Sequence, residues 1–258
     1  MTAELVDDLG EPLPLAAAPR RVVSLVPSLT EAIAVTAPGL LVGATDYCTH
    51  PAGLDVARVG GSKWPDLDRV QACRPDLVIA NAEENRREDV RALRAAGFAV
   101  WVTSPRTLAG AFTSLARLFA ACGLDRPAWW DEARKMWAPT FDGSPPDRQA
   151  AIAIWRRPWM VLGPDTFAGD VLAHLGVGNV FADATERYPK TSVAAILARR
   201  PELVVLPDEP YAFGPTDGPE AFAGVPAALV SGRHLTWYGP SLVEARDLLE
   251  RQLSASTR

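Results

Sequence analysis

With 258 residues, 48% of them hydrophobic and 22% charged, the chain has ordinary globular composition and enough length for one large domain or two of usual size. A formal net charge of -5 with scattered arginines excludes a concentrated positive surface for nucleic acid or anionic lipid. Cys48, Cys73 and Cys122 are an odd set without C-x-x-C spacing, which excludes a disulfide framework and a structural zinc cage.

The chain opens on "MTAELVDDLGEPLPL", acidic and without the basic region and long apolar run of an export signal. No segment holds the roughly 18–20 uninterrupted apolar residues of a membrane span. Read literally this predicts a cytoplasmic protein, and a periplasmic one if the chain is a processed form.

Short apolar runs then alternate with helical patterns. "RVVSLV" (21–26), "LLVGAT" (40–45), "DLVIAN" (76–81) and "AVWVTS" (99–104) have the length and branching of buried strands. Between them lie "SLTEAIAVTA", read as opening on a Ser or Thr cap, "DLDRVQAC" and "REDVRALRAAG". A helix-rich middle follows, "LAGAFTSLARLFAACG" and "RPAWWDEARKMW", closed by the Pro/Gly-rich "APTFDGSPPD". The strand pattern restarts with "AAIAIW" (150–155), "GVGNVF" (176–181), "ELVVLP" (202–207) and "HLTWY" (234–238), and the chain ends in the helix "SLVEARDLLERQL".

The second half repeats the first. "LDRVQACRPDLVIANAEEN" and "VAAILARRPELVVLPDEPY" share a helix, an Arg-Pro-acid-Leu-Val entry to a strand and an acidic loop, displaced by about 126 residues. The predicted fold is α/β: two Rossmann-like parallel-sheet lobes, 1–105 and 148–258, joined by a helical connector over 106–147, with a ligand cleft between the lobes.

Ligands of open parallel sheets bind beyond the carboxyl ends of the strands. Candidate ligand contacts are therefore Tyr47, Cys48 and His50 after the second strand, and Glu83, Glu84 and Asn85 after the third. The second lobe offers Trp155, Arg156, Trp159, Glu209, Tyr211, Trp237 and Tyr238, and Trp64 adds an aromatic surface to the first. So many aromatic and ionisable groups suit a large, flat, metal-bearing ligand.

Cys48 and His50, two apart, can both reach one ion, with Glu83 or Glu84 completing three ligands; equally, Cys48 can be a buried filler and His50 a polar residue of the cleft. Nucleophilic catalysis by this pair lacks both the side-chain geometry and a third, orienting group. Trp129, Trp130 and Trp137 are spaced along the connecting helix as core residues, and His174 in "DVLAHLG" reads as structural.

Several motifs in this order, "DDLGEPLPLAAAPRRVVSLVPSLTEA", "YCTHP", "KWPDLDRVQACRPDLVIA", "EEN", "IWRRPWM", "DEPYAF" and "LTWYGP", resemble the periplasmic-binding-protein superfamily. The similarity is to the helical-backbone metal receptors that carry cobalamin, haem and ferric siderophores to ABC importers, and above all to cobalamin-binding proteins and their relatives without signals. The resemblance implies an opening β-hairpin and a non-catalytic binding protein that requires no cofactor and takes a corrinoid, haem or other metal chelate as ligand.

By the same resemblance Trp64 is a corrin-stacking residue, and His50 an aromatic contact before a proline. Asn81 stands where such a binder has another tryptophan. The importer-docking carboxylates lie one on each lobe, with Asp68 at the first position and Ala194 at the second. The competing expectation, from a different class, is an intracellular corrinoid- or metal-handling protein or thiol-dependent enzyme that reuses the fold, with Cys48 reactive.

Overall fold

A computed structural model describes residues 5–140 and 145–256. The first residues of the opening segment and Phe141–Ser144 of the "APTFDGSPPD" stretch lie outside the described residues.

The chain divides into two compact units: Met1–Pro105 with Ala109–Asp131 and Tyr238–Pro240, and Arg106–Leu108 with Glu132–Trp237 and Ser241–Arg258. Of the segment read as the connector, 109–131 thus groups with the first unit and 132 onward with the second.

The first unit is built on a five-stranded sheet in the order β3-β2-β1-β4-β5, from β1 (Val22–Ser24), β2 (Leu41–Ala44), β3 (Ala57–Arg58), β4 (Leu77–Asn81) and β5 (Val100–Thr103). Every pairing in it is parallel. Parallel neighbours need crossovers, supplied by α1 (Pro27–Thr36), α2 (Leu67–Ala72) and α3 (Arg87–Ala95). The opening hairpin is reduced to an isolated bridge, Val6 to Pro12.

Val23 of β1, Val78 and Ala80 of β4 and Val100 and Val102 of β5 close the core with Val70 of α2 and Val90 and Leu93 of α3. The expected Ser or Thr cap on α1 is absent: its N-cap is Val26, and Pro27 opens the helix, where a missing N–H costs nothing. Two longer helices follow, α4 (Leu108–Ala121) and α5 (Ala128–Trp137). Trp130 and Trp137 are buried, and Trp129 donates to Thr36 Oγ1 at 3.1 Å.

The second unit holds β6 (Arg148–Arg156), β7 (Trp159–Val161), β8 (Val177–Asn179), β9 (Lys190–Thr191), β10 (Leu203–Pro207) and β11 (Ala227–Val230). The sheet runs β11-β10-β6-β7-β9, with β8 also on β6. Its β11, β10, β6 and β8 pairings are parallel, while β7 returns antiparallel on β6 and pairs antiparallel with β9. The Arg156–Trp159 stretch is therefore a hairpin within the sheet and not a loop leaving a parallel strand.

The helices of this unit are α6 (Phe167–His174), α7 (Val193–Ala198), α8 (Gly232–Thr236) and α9 (Leu242–Ser254). "HLTWY" is not the fourth parallel strand; that place belongs to β11, and His234–Thr236 lie in α8. Asp208 Oδ1 accepts from Gly232 N at 2.6 Å and caps α8 from a neighbouring strand end, a tertiary contact that local pattern does not reveal. Gly232 is needed there, because a Cβ would meet Glu209 Cγ at 2.3 Å. His174 Nδ1 lies 2.9 Å from the Thr140 carbonyl, in keeping with a structural role.

The repeat holds in atomic detail. Asp66 caps α2 through Arg69 N, and Ser192 caps α7 through Ala195 N. Arg74 (φ 45°) and Arg200 (φ 52°) then take left-handed backbone at matching positions before proline. Asp76 Oδ2 accepts from Arg20 N and Arg21 N at 2.7 and 2.9 Å, and Glu202 Oε2 from Gln149 N at 2.7 Å. Each acid ties the start of one strand to its neighbour.

Candidate functional site

In the first unit the loops after β2, β3 and β4 are tied together at Ser62. Asn85 Nδ2 donates to the Ser62 carbonyl at 2.8 Å and to the Leu25 carbonyl at 3.2 Å, while Ser62 Oγ lies 3.2 Å from Thr45 Oγ1. The Arg58 guanidinium holds the β2 loop through the carbonyls of Thr45 and Cys48, both at 2.9 Å. Asn81 organises the β4 loop: its Oδ1 accepts from Glu83 N (2.7 Å) and Glu84 N (3.1 Å), and its Nδ2 donates to the Tyr238 hydroxyl at 2.7 Å.

That framework sorts the predicted contacts. Tyr47 is 68% exposed and Trp64 67%, with the Arg86 guanidinium 3.9 Å from the Trp64 ring centroid. His50, Glu83 and Glu84 are half-buried. Asn85 and Tyr238 are both 4% exposed and spend their polar atoms inside the protein, so they position the loops and have almost no surface to offer a ligand.

Cys48 is also corrected. It is 0% exposed, with its Sγ 3.0 Å from Thr30 Oγ1 and 3.1 Å from Thr45 Oγ1. Burial pushes its thiol pKa up, opposed by the two threonine hydroxyls. A reactive thiolate needs the opposite shift, and a metal ligand needs access. Among the described residues no group of three or more His, Cys, Asp or Glu could hold a metal ion.

In the second unit Trp155, 40% exposed, meets Tyr211 edge-on with centroids 5.6 Å apart. Tyr211 packs on Phe213 at 4.6 Å, and Trp159 stacks on Phe213 at 5.8 Å and meets Phe222 at 5.0 Å. Arg156 makes ion pairs with Asp217 and Glu220, and the Tyr211 hydroxyl donates to Asp217 Oδ2 at 2.7 Å. Arg156 thus pairs inside its own unit, with carboxylates whose positions ten residues and more past β10 no motif marks.

A second group gathers Glu209, Trp237 and Arg233. Burial and then the Asp208 charge push the Glu209 carboxyl up, opposed by the Trp237 indole hydrogen bond and by Arg233. The Glu209 Oε1 atom is buried without a hydrogen-bond partner. Sequence reasoning missed Arg58, Ser62 and Arg86, whose roles come from where the loops fold and not from any local pattern.

Two α/β units on parallel-dominated sheets, repeating one helix-to-strand motif, are a fold that the chain shares with solved periplasmic binding proteins. No family model matches the chain. In sequence it is 24% identical over 213 residues to the vitamin B12-binding protein of Vibrio cholerae, covering 80% of this chain and 75% of that one.

In structure it superposes on the periplasmic vitamin B12 binding protein of Vibrio cholerae with a TM-score of 0.73 at 19% identity, over 92% of this chain and 97% of that one. A periplasmic haem-binding protein from Pseudomonas aeruginosa gives 0.71 at 22%, over 93% and 94%. The chain is thus similar in sequence to a vitamin B12-binding protein and shares its fold with periplasmic vitamin B12- and haem-binding proteins, relatives that are named for binding and not for catalysis.

Proposed function

We propose that the chain is a non-catalytic substrate-binding protein for a flat metal chelate of corrinoid or haem type, acting outside the cytoplasm with an ABC importer. The observation that carries this is the placement of exposed aromatics. Among the described residues the exposed large hydrophobics are Leu5, Val6, Leu9 and Val35 together with Tyr47, Trp64 and Trp155, and all three aromatics follow or end a strand at its carboxyl edge. Exposed rings at the edge where such sheets take ligands are suited to stacking on a planar macrocycle. His50 is the member of the Cys48 and His50 pair with surface for an axial metal contact.

Among the described residues no helix is long and apolar enough to cross a membrane, so delivery would need a separate permease. For docking to it, Asp68 stands exposed in the first turn of α2 and Ala194 exposed at the matching place in α7. The contact would be charged on the first unit only.

Titrating the purified protein with cobalamin, cobinamide, haemin and a ferric siderophore, followed by absorbance and tryptophan fluorescence, tests the reading. Saturable binding of at least one chelate is expected, with Trp64→Ala and Trp155→Ala each weakening it about tenfold, or about 1.4 kcal/mol. If none of the four binds, the proposal is wrong.

A further inference from the structure

The second unit carries a line of polar side chains that the binding of a chelate does not use. Ser231, the residue between β11 and α8, has its Oγ 2.7 Å from His234 Nδ1. His234 Nε2 in turn lies 2.9 Å from Glu244 Oε1 of α9. Arg233 Nη1 stands beside them, 3.6 Å from the same Glu244 oxygen and 3.4 Å from His234 Nε2. The hydrogen bond from His234 holds the Glu244 carboxyl below the ordinary glutamate range, against the opposing effect of burial.

Donor and acceptor chemistry sets the direction of the line. An ionised carboxylate only accepts, so Nε2 carries the imidazole proton. In the neutral ring Nδ1 is then a bare acceptor, and the Ser231 hydroxyl donates to it. Ser231 is the N-cap of α8, where a serine ordinarily turns its oxygen to a helix amide, yet its side chain makes no such bond. Asp208 caps the helix instead through Gly232 N at 2.6 Å, and Gln252 Oε1 accepts from Ser231 N at 3.0 Å. The hydroxyl is thereby left to the imidazole. Ser231 is half-buried and keeps surface, unlike Cys48, and its base has the third, orienting group that Cys48 and His50 lack.

We propose that Ser231 is an acylation site for small activated acyl donors, with His234 as the base that takes its proton and Glu244 as the residue that positions His234. A serine hydroxyl is a weak nucleophile until an adjacent base removes its proton, and a third group fixes the tautomer of that base. In the step, Oγ bonds to the acyl carbon while Nδ1 takes the hydroxyl proton. The bond from the acyl carbon to the leaving oxygen then breaks, the leaving group departs with the electron pair, and His234 gives it the proton. After a strand-serine-helix turn the next backbone amide is the usual donor to the oxyanion, and here Gly232 N is bonded to Asp208. That restricts the attack to donors with a good leaving group and disfavours release of the acyl group by water. One acyl group per chain is transferred, so the modification stands beside a non-catalytic binding role.

Incubating the full chain with p-nitrophenyl acetate and following each serine by peptide mass spectrometry tests the proposal. Ser254 is the internal control: it is exposed, and its hydroxyl donates to the Glu250 carbonyl with no imidazole beside it. Ser231 should be acetylated about tenfold faster than Ser254 or more, although it is less exposed. His234→Gln, with its fold checked by circular dichroism, should slow Ser231 about tenfold or more and leave Ser254 unchanged. Glu244→Gln alters a side chain that is 66% exposed, so the fold is kept, and it should slow Ser231 alone by a smaller factor. Ser231 reacting no faster than Ser254, or at an unchanged rate in either variant, would overturn the proposal.

Discussion

The two units carry the same scaffold and finish it with different chemistry. In both, a side-chain cap starts a short helix, a left-handed arginine ends it, proline follows, and an acid ties the next strand to its neighbour. Beyond the strand the copies part. β4 ends on Asn81, whose amide organises a buried hydrogen-bond network, whereas β10 ends on Pro207, which has no such side chain, and the loop beyond it rests on packed rings and the ion pairs of Arg156. Duplication preserved what makes the sheet and left the strand ends free to diverge.

The largest test of that contrast removes polar atoms from each side. Asn81→Ala would remove one hydrogen bond each from the Tyr238 hydroxyl, which keeps Thr103, and from the Glu83 and Glu84 amides, and each such bond contributes about 1 kcal/mol. A loss of about 3 kcal/mol in urea unfolding is expected. Tyr211→Phe deletes one hydroxyl from the ring cluster of the second unit while keeping the packed ring, and should cost less than about 1 kcal/mol. Equal losses would mean that the two loops are held in the same way.

A smaller effect probes what the copies share. Asp76 accepts two backbone N–H groups and Glu202 one. By analogy with helix caps, Asp76→Ala should cost about 1 kcal/mol and Glu202→Ala about half of that, both read from the unfolding midpoint. If Glu202→Ala cost more, the acid of the second unit would be doing something beyond anchoring its strand.

The scaffold was legible because its signals are local. Proline after a short helix, an acid next to it and a run of branched residues lie within a dozen positions, and they fix β4 and β10 within a residue of the expected bounds. β3 and β9 were not legible, since two residues form no apolar run, and α8 was misread because its cap, Asp208, comes from another strand. Among the candidate contacts, the places of Tyr47 and Trp155 at strand ends followed from pattern and position, whereas Trp64, beyond β3, entered through the family resemblance. The sequestering of Cys48 by Thr30 and Thr45, of Asn85 by Ser62 and of Tyr238 by Asn81 depends on contacts between distant segments, which periodicity does not encode.

The smallest effect isolates Glu209, an acid at the carboxyl edge of the second unit whose charge is poorly compensated. A carboxyl whose pKa is higher in the folded than in the unfolded state favours folding while protonated, and it loses that advantage as the pH rises through the folded value. At pH 7, well above the ordinary glutamate value, burying this group therefore costs stability, which burying an isosteric amide would not. Glu209→Gln should raise the melting temperature at pH 7 by about 1–3 °C, modest because the side chain is only half-buried and solvent screens it. The gain should vanish below the ordinary glutamate pKa of about 4.3, where the wild-type carboxyl is protonated in both states. Calorimetry of the two proteins at pH 7 and pH 4 reads both arms. A fall in melting temperature at pH 7 would instead mean that Arg233 and the Trp237 indole outweigh burial, and that the second unit, like the first, holds its strand-end loop by polar contacts.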